Sequence, residues 1–207
     1  MMFVPSVLAV LLAYLLGSIP TGTIVARVYR NVDITRVGSQ RTGATNVLRT
    51  LGPGAAAVVF LGDALKGAIA VLAAQTLAPN DAWVVSLAAL AAMAGHNFSV
   101  FIRFRGGRGV TTGLGALLCI APWAALGAVI LGSVLIATTK YVSLGSMTGA
   151  AAGGLIVAGM ALAGLLPGPY FWFGLTAAIF IVTSHRDNLA RLAKGSERRL
   201  GERAEPG

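Results

Sequence analysis

Long apolar segments separated by short basic ones constrain this chain more than any other feature. They run from about Phe3 to Ile24, Ala55 to Leu77, Trp83 to Ala94, Val110 to Thr139, Ser146 to Leu166 and Tyr170 to Thr183. Hydrophobic side chains make up 56% of the chain and charged ones only 11%, about half the charge of a soluble domain. The solvent for most of the chain is therefore lipid, where each unpaired backbone group costs several kcal/mol. Barrel strands alternate over about ten residues, whereas these runs are longer and rich in Ala, Leu and Gly, so helices are the spanning element. The expected fold is all-α: a polytopic integral membrane protein, one domain over residues 1–207.

The run from Val110 to Thr139 is too long for one ordinary span and short for two, with Pro122-Trp123 near its middle as a candidate turn. Charge distribution decides the count. Two spans there give seven transmembrane helices with the N-terminus outside and the C-terminus cytoplasmic, and place all 16 Lys and Arg residues on the cytoplasmic side. One span would move Lys140 and every basic residue from Arg186 onward to the outside. With seven spans the outer loops hold only Asp81 as a charged residue, so the chemistry is expected to face the cytoplasm. The net charge of +9 lies in short loops and not on a soluble basic face, which argues against nucleic acid as a partner. The single cysteine, Cys119, sits inside an apolar run and reads as a small core residue.

Four cytoplasmic stretches carry unusual polar composition. The first spans Ser18 to Gly22 and Val37 to Arg49: Gly38 and Gly43 free the backbone to turn amides toward one point, Ser39, Thr42, Thr45 and Asn46 add short donors, and Arg49 adds a bidentate cation. An ordinary capped turn has the same composition. The second runs from Gly95 to Gly113. Here Arg103, Arg105 and Arg108 flank Gly106, Gly107 and Gly109 directly before a helix, so loop amides, helix dipole and guanidinium groups could converge on an anion. Positive-inside anchoring explains the arginines but not the glycines. The third, Lys140 to Ser146, contributes Ser143. The fourth places His185, Asn188 and Arg191 about one helical turn apart, in a segment whose other basic residues suit a helix on anionic lipid. Asp63 and Lys66 stand three apart within an apolar helix and can pair there, as a functional site or as a structural ion pair.

Absences narrow the chemistry. Neither of the 2 histidines is followed by Asp five positions on, as acyl-CoA-using glycerolipid acyltransferases require. The 7 acidic residues form no paired aspartates on an inner loop for a dinuclear magnesium site, and no Gly-x4-Gly-Lys-Ser/Thr run is present. The reaction is expected to start from an activated substrate, with neither metal nor cofactor.

In these segments the sequence resembles the bacterial acyl-phosphate:glycerol-3-phosphate acyltransferase family. The likeness runs through Gly17-Ser18-Ile19-Pro20, Gly43 to Arg49, Asp63-Ala64-Leu65-Lys66-Gly67, Gly95-His96-Asn97-Phe98, Arg105 to Val110, Tyr141-Val142-Ser143 and His185 to Asn188, in the family's order. Two departures stand out: Gln40-Arg41 replaces the usual Gly-Asn, and arginine holds positions 105 and 108, one or both of which are usually lysine. The resemblance implies transfer of a fatty acyl group from acyl phosphate to the sn-1 hydroxyl of glycerol 3-phosphate at the inner membrane. It implies lipid surroundings and functional coupling to the enzyme that forms acyl phosphate. On this reading Ser39, Thr45, Asn46 and the Gly38 and Gly43 amides hold the acyl-phosphate group, and His185 and Asn188 close over it. Arg49, Arg108 and Ser143, with the Gly106, Gly107 and Gly109 loop, hold glycerol 3-phosphate. A transporter of organic phosphates could also use broken helices and buried amides, but polar residues on one side only suit an enzyme better.

Overall fold

The computed structural model describes residues 3–202, and no strand occurs among them. Ten α-helices follow in order: α1 (Phe3–Ser18), α2 (Thr21–Arg30), α3 (Ala44–Leu51), α4 (Pro53–Leu77), α5 (Ala82–Asn97), α6 (Val110–Ile120), α7 (Pro122–Thr139), α8 (Val142–Leu162), α9 (Pro169–Ser184) and α10 (Arg186–Ala193). Single 3-10 turns lie at Ile34–Arg36 and Val100–Ile102. Five stretches are long and apolar enough to cross a membrane: Val4–Arg30, Pro53–Leu77, Ala82–Ile102, Pro122–Thr139 and Val142–Leu162. The apolar helices α6 and α9 are shorter, at 11 and 16 residues. At 1.5 Å per residue α6 covers only about 16 Å, roughly half a hydrocarbon core.

Proline divides the long run from Val110 to Thr139. Pro122 has no N–H to give the preceding turn, and its ring would meet the carbonyl four residues back. The break falls at Ala121 (φ −149°, ψ 81°), one residue before the expected turn, and Pro122 opens α7, where its fixed φ suits a first helical position.

With little apolar gain from leaving lipid, the helices associate by close approach of small residues. Alanines dominate the buried core between α1, α4, α5, α6, α7 and α9. Gly67 and Gly115 let α4 and α6 touch backbone to backbone: a Cβ on either would stand 2.0 Å from the Thr112 carbonyl oxygen or 1.9 Å from that of Ala64. Large apolar side chains such as Leu61, Ile69, Ile130, Leu155 and Ile179 instead point outward, as a lipid-facing surface requires.

The helices alternate in direction, so polar ends separated in sequence gather at one end of the bundle. Ser99 Oγ donates to the Ser18 carbonyl, and Tyr14 donates to Phe98 O at 2.8 Å, joining the ends of α1 and α5. Asn97 Nδ2 donates to Ser184 Oγ at 2.8 Å, bringing in the end of α9. The Leu200 amide donates to Lys140 O at 2.7 Å, tying the C-terminal segment to the end of α7. At the opposite end Asp81 is the sole charged residue among those described, and its Oδ1 caps α5 by accepting from Trp83 N and Val84 N.

Candidate active site

The loop between α2 and α3 is organised by one side chain. Asn46 is buried; its Oδ1 accepts from Ser39 N at 3.0 Å, and its Nδ2 lies 3.2, 3.0 and 2.9 Å from the carbonyl oxygens of Ile34, Val37 and Arg41. Its donors and acceptor engage the loop, which it shapes. Gly38 has φ 62°, where glycine is at ease, but Gln40 also adopts a left-handed φ of 57°. Gln40 therefore holds a glycine-like backbone, at about 1–2 kcal/mol for a residue with a Cβ. The neighbouring Arg41 reaches Asp187 Oδ2 at 3.5 Å, an exposed link between this loop and α10.

The glycines before α6 also act differently from expectation. Gly106 N donates to Asn97 O and Gly107 N to His96 O, both at 3.0 Å, so these two amides are not free for an anion. Both residues must be glycine for a packing reason. A Cβ on Gly106 would lie 1.9 Å from His96 O, and one on Gly107 would lie 2.0 Å from His96 Nε2. Gly109 (φ 79°) packs over Asn97 Oδ1. The glycines seat the loop on the end of α5 and thereby direct Arg108.

Arg108 enters a small polar cavity of about 30 Å³, lined by Thr45, Arg49, Arg108, Ser143, His185, Asn188 and Glu197 together with Val142 and Ser146. Six of the expected residues therefore meet there, drawn from four segments of sequence. Ser39, Gly38, Gly43, Asn46, Gly106, Gly107 and Gly109 are not among its lining residues. Arg108 Nε is buried without a partner. Burial, then repulsion from Arg41 and Arg191, lowers the Arg108 guanidinium to about 10, and burial followed by repulsion from Arg198 lowers that of Arg49. Arg49 Nη2 donates to Arg198 O at 3.2 Å. The site thus concentrates positive charge in a place that disfavours it.

His185 Nδ1 lies 2.8 Å from the Ile181 carbonyl oxygen, which can only accept, so Nδ1 carries the hydrogen and Nε2 presents a lone pair. Burial is the main cause that pushes the ring down to about 4, and it is neutral at pH 7.

Glu197 is the member that sequence reasoning missed. The basic run after Arg186 reads as one amphipathic helix on lipid, but α10 stops at Ala193, and Gly195 (φ 67°) turns the chain back over the site. Glu197 Oε1 accepts from Ser143 Oγ at 2.9 Å and from Asn188 Nδ2 at 2.6 Å, and Oε2 accepts from Arg191 Nε at 2.8 Å. Burial alone would raise this carboxyl, but the hydrogen bonds from Asn188, Ser143 and Arg191 outweigh it and hold it below the ordinary range. Its signal in the sequence was an acid just beyond a glycine in a mostly basic tail.

Behind the polar cavity lies an apolar one of about 200 Å³, walled by α6, α7, α8 and α9 through residues such as Leu114, Val129, Gly149, Phe173 and Ala177. Ser146, one turn along α8 from Ser143, lines both cavities. Ser146 thus borders both a cation-rich cavity and an apolar slot with the dimensions for an alkyl chain.

Helices that gather an anion site and an apolar slot at one end of a membrane bundle define a class that handles lipid phosphates. The chain belongs to the glycerol-3-phosphate acyltransferase family, whose sequence model matches residues 7–195. It is 51% identical over 203 residues to the glycerol-3-phosphate acyltransferase of a Thermus thermophilus strain, covering 97% of this chain and 98% of that one. To the Geobacter sulfurreducens protein of the same name it is 45% identical over 188 residues, covering 91% and 94%. Among solved structures, the glycerol 3-phosphate form of PlsY (YgiH), an integral membrane glycerol 3-phosphate acyltransferase, superposes with a TM-score of 0.87 at 36% identity, covering 95% of this chain and 96% of that one. Its lysophosphatidic acid form gives a TM-score of 0.85.

Proposed function

We propose that the protein transfers a fatty acyl group from acyl phosphate to the sn-1 hydroxyl of glycerol 3-phosphate, giving 1-acylglycerol 3-phosphate and phosphate. The observation that carries this reading is the junction at Ser146 between a cation-rich cavity and an apolar slot. Both substrates bear phosphate, and one bears an alkyl chain. Arg49, Arg108 and Ser143 hold glycerol 3-phosphate. Thr45 and the Gly38–Gly43 loop, including Ser39, face the acyl phosphate, with Asn46 keeping that loop in shape. His185 and Asn188 close over the reacting group, and the acyl chain lies in the apolar slot. The related PlsY, solved in glycerol 3-phosphate and lysophosphatidic acid forms, supports this assignment of acceptor and product.

Acyl phosphate is a mixed anhydride with a good leaving group. The acceptor oxygen attacks the carbonyl carbon, the carbon–oxygen bond to phosphate breaks, and the hydroxyl proton leaves with a basic oxygen of a bound phosphate. Holding two anions together and offsetting their repulsion with Arg49 and Arg108 supplies most of the acceleration, so no enzyme nucleophile is called for. At about 30 Å³ the polar cavity has room for one or two water molecules, so its wall must yield to substrate. The walls without helical support are the loop that carries Arg108 and the segment from Lys194 to Leu200, which carries Glu197.

In the membrane, α1, α4, α5, α7 and α8 cross fully, and α6 and α9 complete seven spans with the site on the cytoplasmic side of the inner membrane. The short α6 suffices because Gly106, Gly107 and Gly109 are buried in protein, where irregular backbone is tolerated at membrane depth. The enzyme that forms acyl phosphate is the expected functional partner. Purified protein in detergent, given acyl phosphate and glycerol 3-phosphate, is expected to form lysophosphatidic acid and phosphate. Equal turnover with acyl-CoA would overturn the donor assignment.

A further inference from the structure

Asp63, Lys66 and His96 are 1%, 5% and 6% exposed and take no part in the reaction outlined above. Lys66 Nζ lies 2.8 Å from Asp63 Oδ1 and also donates to the Ile19 carbonyl oxygen at 3.0 Å. His96 Nδ1 lies 3.5 Å from the same Asp63 oxygen. The opposite edge of the His96 ring is the surface on which Gly107 rests, because a Cβ there would fall 2.0 Å from Nε2. The His96 carbonyl accepts from Gly107 N, and the next residue, Asn97, holds Gly106 through its carbonyl and Ser184 through its side chain. Arg108 follows Gly107, and His185 follows Ser184. An uninterrupted series of contacts therefore runs from a charged pair inside α4, through the end of α5, to two residues of the polar cavity.

We infer that Asp63, Lys66 and His96 are positioning residues for the phosphate site: the ion pair orients the His96 ring, and the ring sets the height of the Gly107–Arg108 backbone over the cavity. A pair that served only to close the bundle would have no use for His96 between Asp63 and the loop. The inference rests on the acyltransferase reading and deepens it, since it assigns to a buried cluster the affinity for the acceptor phosphate. Removing one charge alone would strand the other in an apolar setting. The double variant Asp63→Leu/Lys66→Met removes both and leaves His96 without its anchor.

The test is steady-state kinetics of that double variant and of His96→Gln, in each case with the unfolding temperature measured in detergent. The expected result is a kcat/KM for glycerol 3-phosphate lowered roughly ten- to a hundredfold, carried mainly by a raised KM for that substrate, with the KM for acyl phosphate close to wild type. Gly107→Ala disturbs the same contact from the loop side and is expected to show the same selective rise. It therefore decides the matter if the double variant fails to fold. Folded variants with an unchanged acceptor KM, or with both KM values raised alike as kcat falls, would overturn the inference and leave a purely structural ion pair. Failure of the acyltransferase reading would appear separately, as wild-type protein without turnover.

Discussion

Arg108→Ala tests the anion site most directly. The Arg108 guanidinium is lowered from its ordinary value to about 10, chiefly by burial and then by the charges of Arg41 and Arg191. At about 1.4 kcal/mol per tenfold this corresponds to roughly 3 kcal/mol of disfavoured charge, reduced to about 2–3 kcal/mol by the residue's partial exposure. A bound dianionic phosphate returns that energy. Its loss in Arg108→Ala is expected to lower kcat/KM about thirty- to a hundred-and-fifty-fold, while the free protein unfolds at an equal or higher temperature because a strained cation has been removed. Arg108→Lys keeps a point charge and is expected to lose far less. The measurements are kinetics with acyl phosphate and glycerol 3-phosphate and thermal unfolding in detergent at matched folded yield. If Arg108 only anchors topology, the exposed Arg103 and Arg105 suffice and activity survives. Near-normal kcat/KM in Arg108→Ala would refute the reasoning.

Two further outcomes are expected. His185 is held near 4 in the folded protein, against about 6.5 unfolded, so between these values the unfolded chain binds the extra proton; stability is complete above pH 6.5 and falls as pH drops toward 4. Glu197, held below its ordinary range, adds a loss below about pH 4.5 that follows the same sign. Unfolding temperatures of wild type and His185→Asn between pH 7 and 4.5 are expected to converge on acidification, and parallel curves would contradict the buried neutral ring. For topology, Arg41→Cys, Asp81→Cys, Arg105→Cys and Glu202→Cys in a Cys119→Ala background can be probed in intact cells with an impermeant thiol reagent. Only Asp81→Cys is expected to react, and labelling at Glu202→Cys would require an even number of spans.

The fold was legible because lipid imposes few solutions: apolar length marks a helix, and a proline such as Pro122 marks its end. Charge placement also separated the two ends of the bundle, one of which holds Asp81 alone among the described charged residues. The site was legible only in part, and the roles the sequence left ambiguous share a physical origin. An absent Cβ serves equally to expose an amide and to admit a neighbour, and no spacing rule tells Gly106 and Gly107, which press against His96, from glycines that cradle a phosphate. Asn46 has the donors a substrate needs, yet the loop consumes them. Glu197 was hidden because its role depends on Gly195 reversing the chain, a tertiary event that a helical pattern conceals.

Within the polar cavity, the polar atoms that remain unspent indicate what a ligand must supply. Buried polar groups are paired in the great majority of cases, and an unpaired one inside a cavity is costly unless a ligand supplies the partner. Two buried side-chain atoms left without a hydrogen bond, Arg108 Nε and Asn188 Oδ1, belong to residues lining the polar cavity. One donates and the other accepts. A phosphate ester with a free hydroxyl offers both complements: its anionic oxygens to the guanidinium and its O–H to the amide oxygen. An anion without an O–H would satisfy only the first. The pair thus suits a ligand that brings an O–H and a phosphate together.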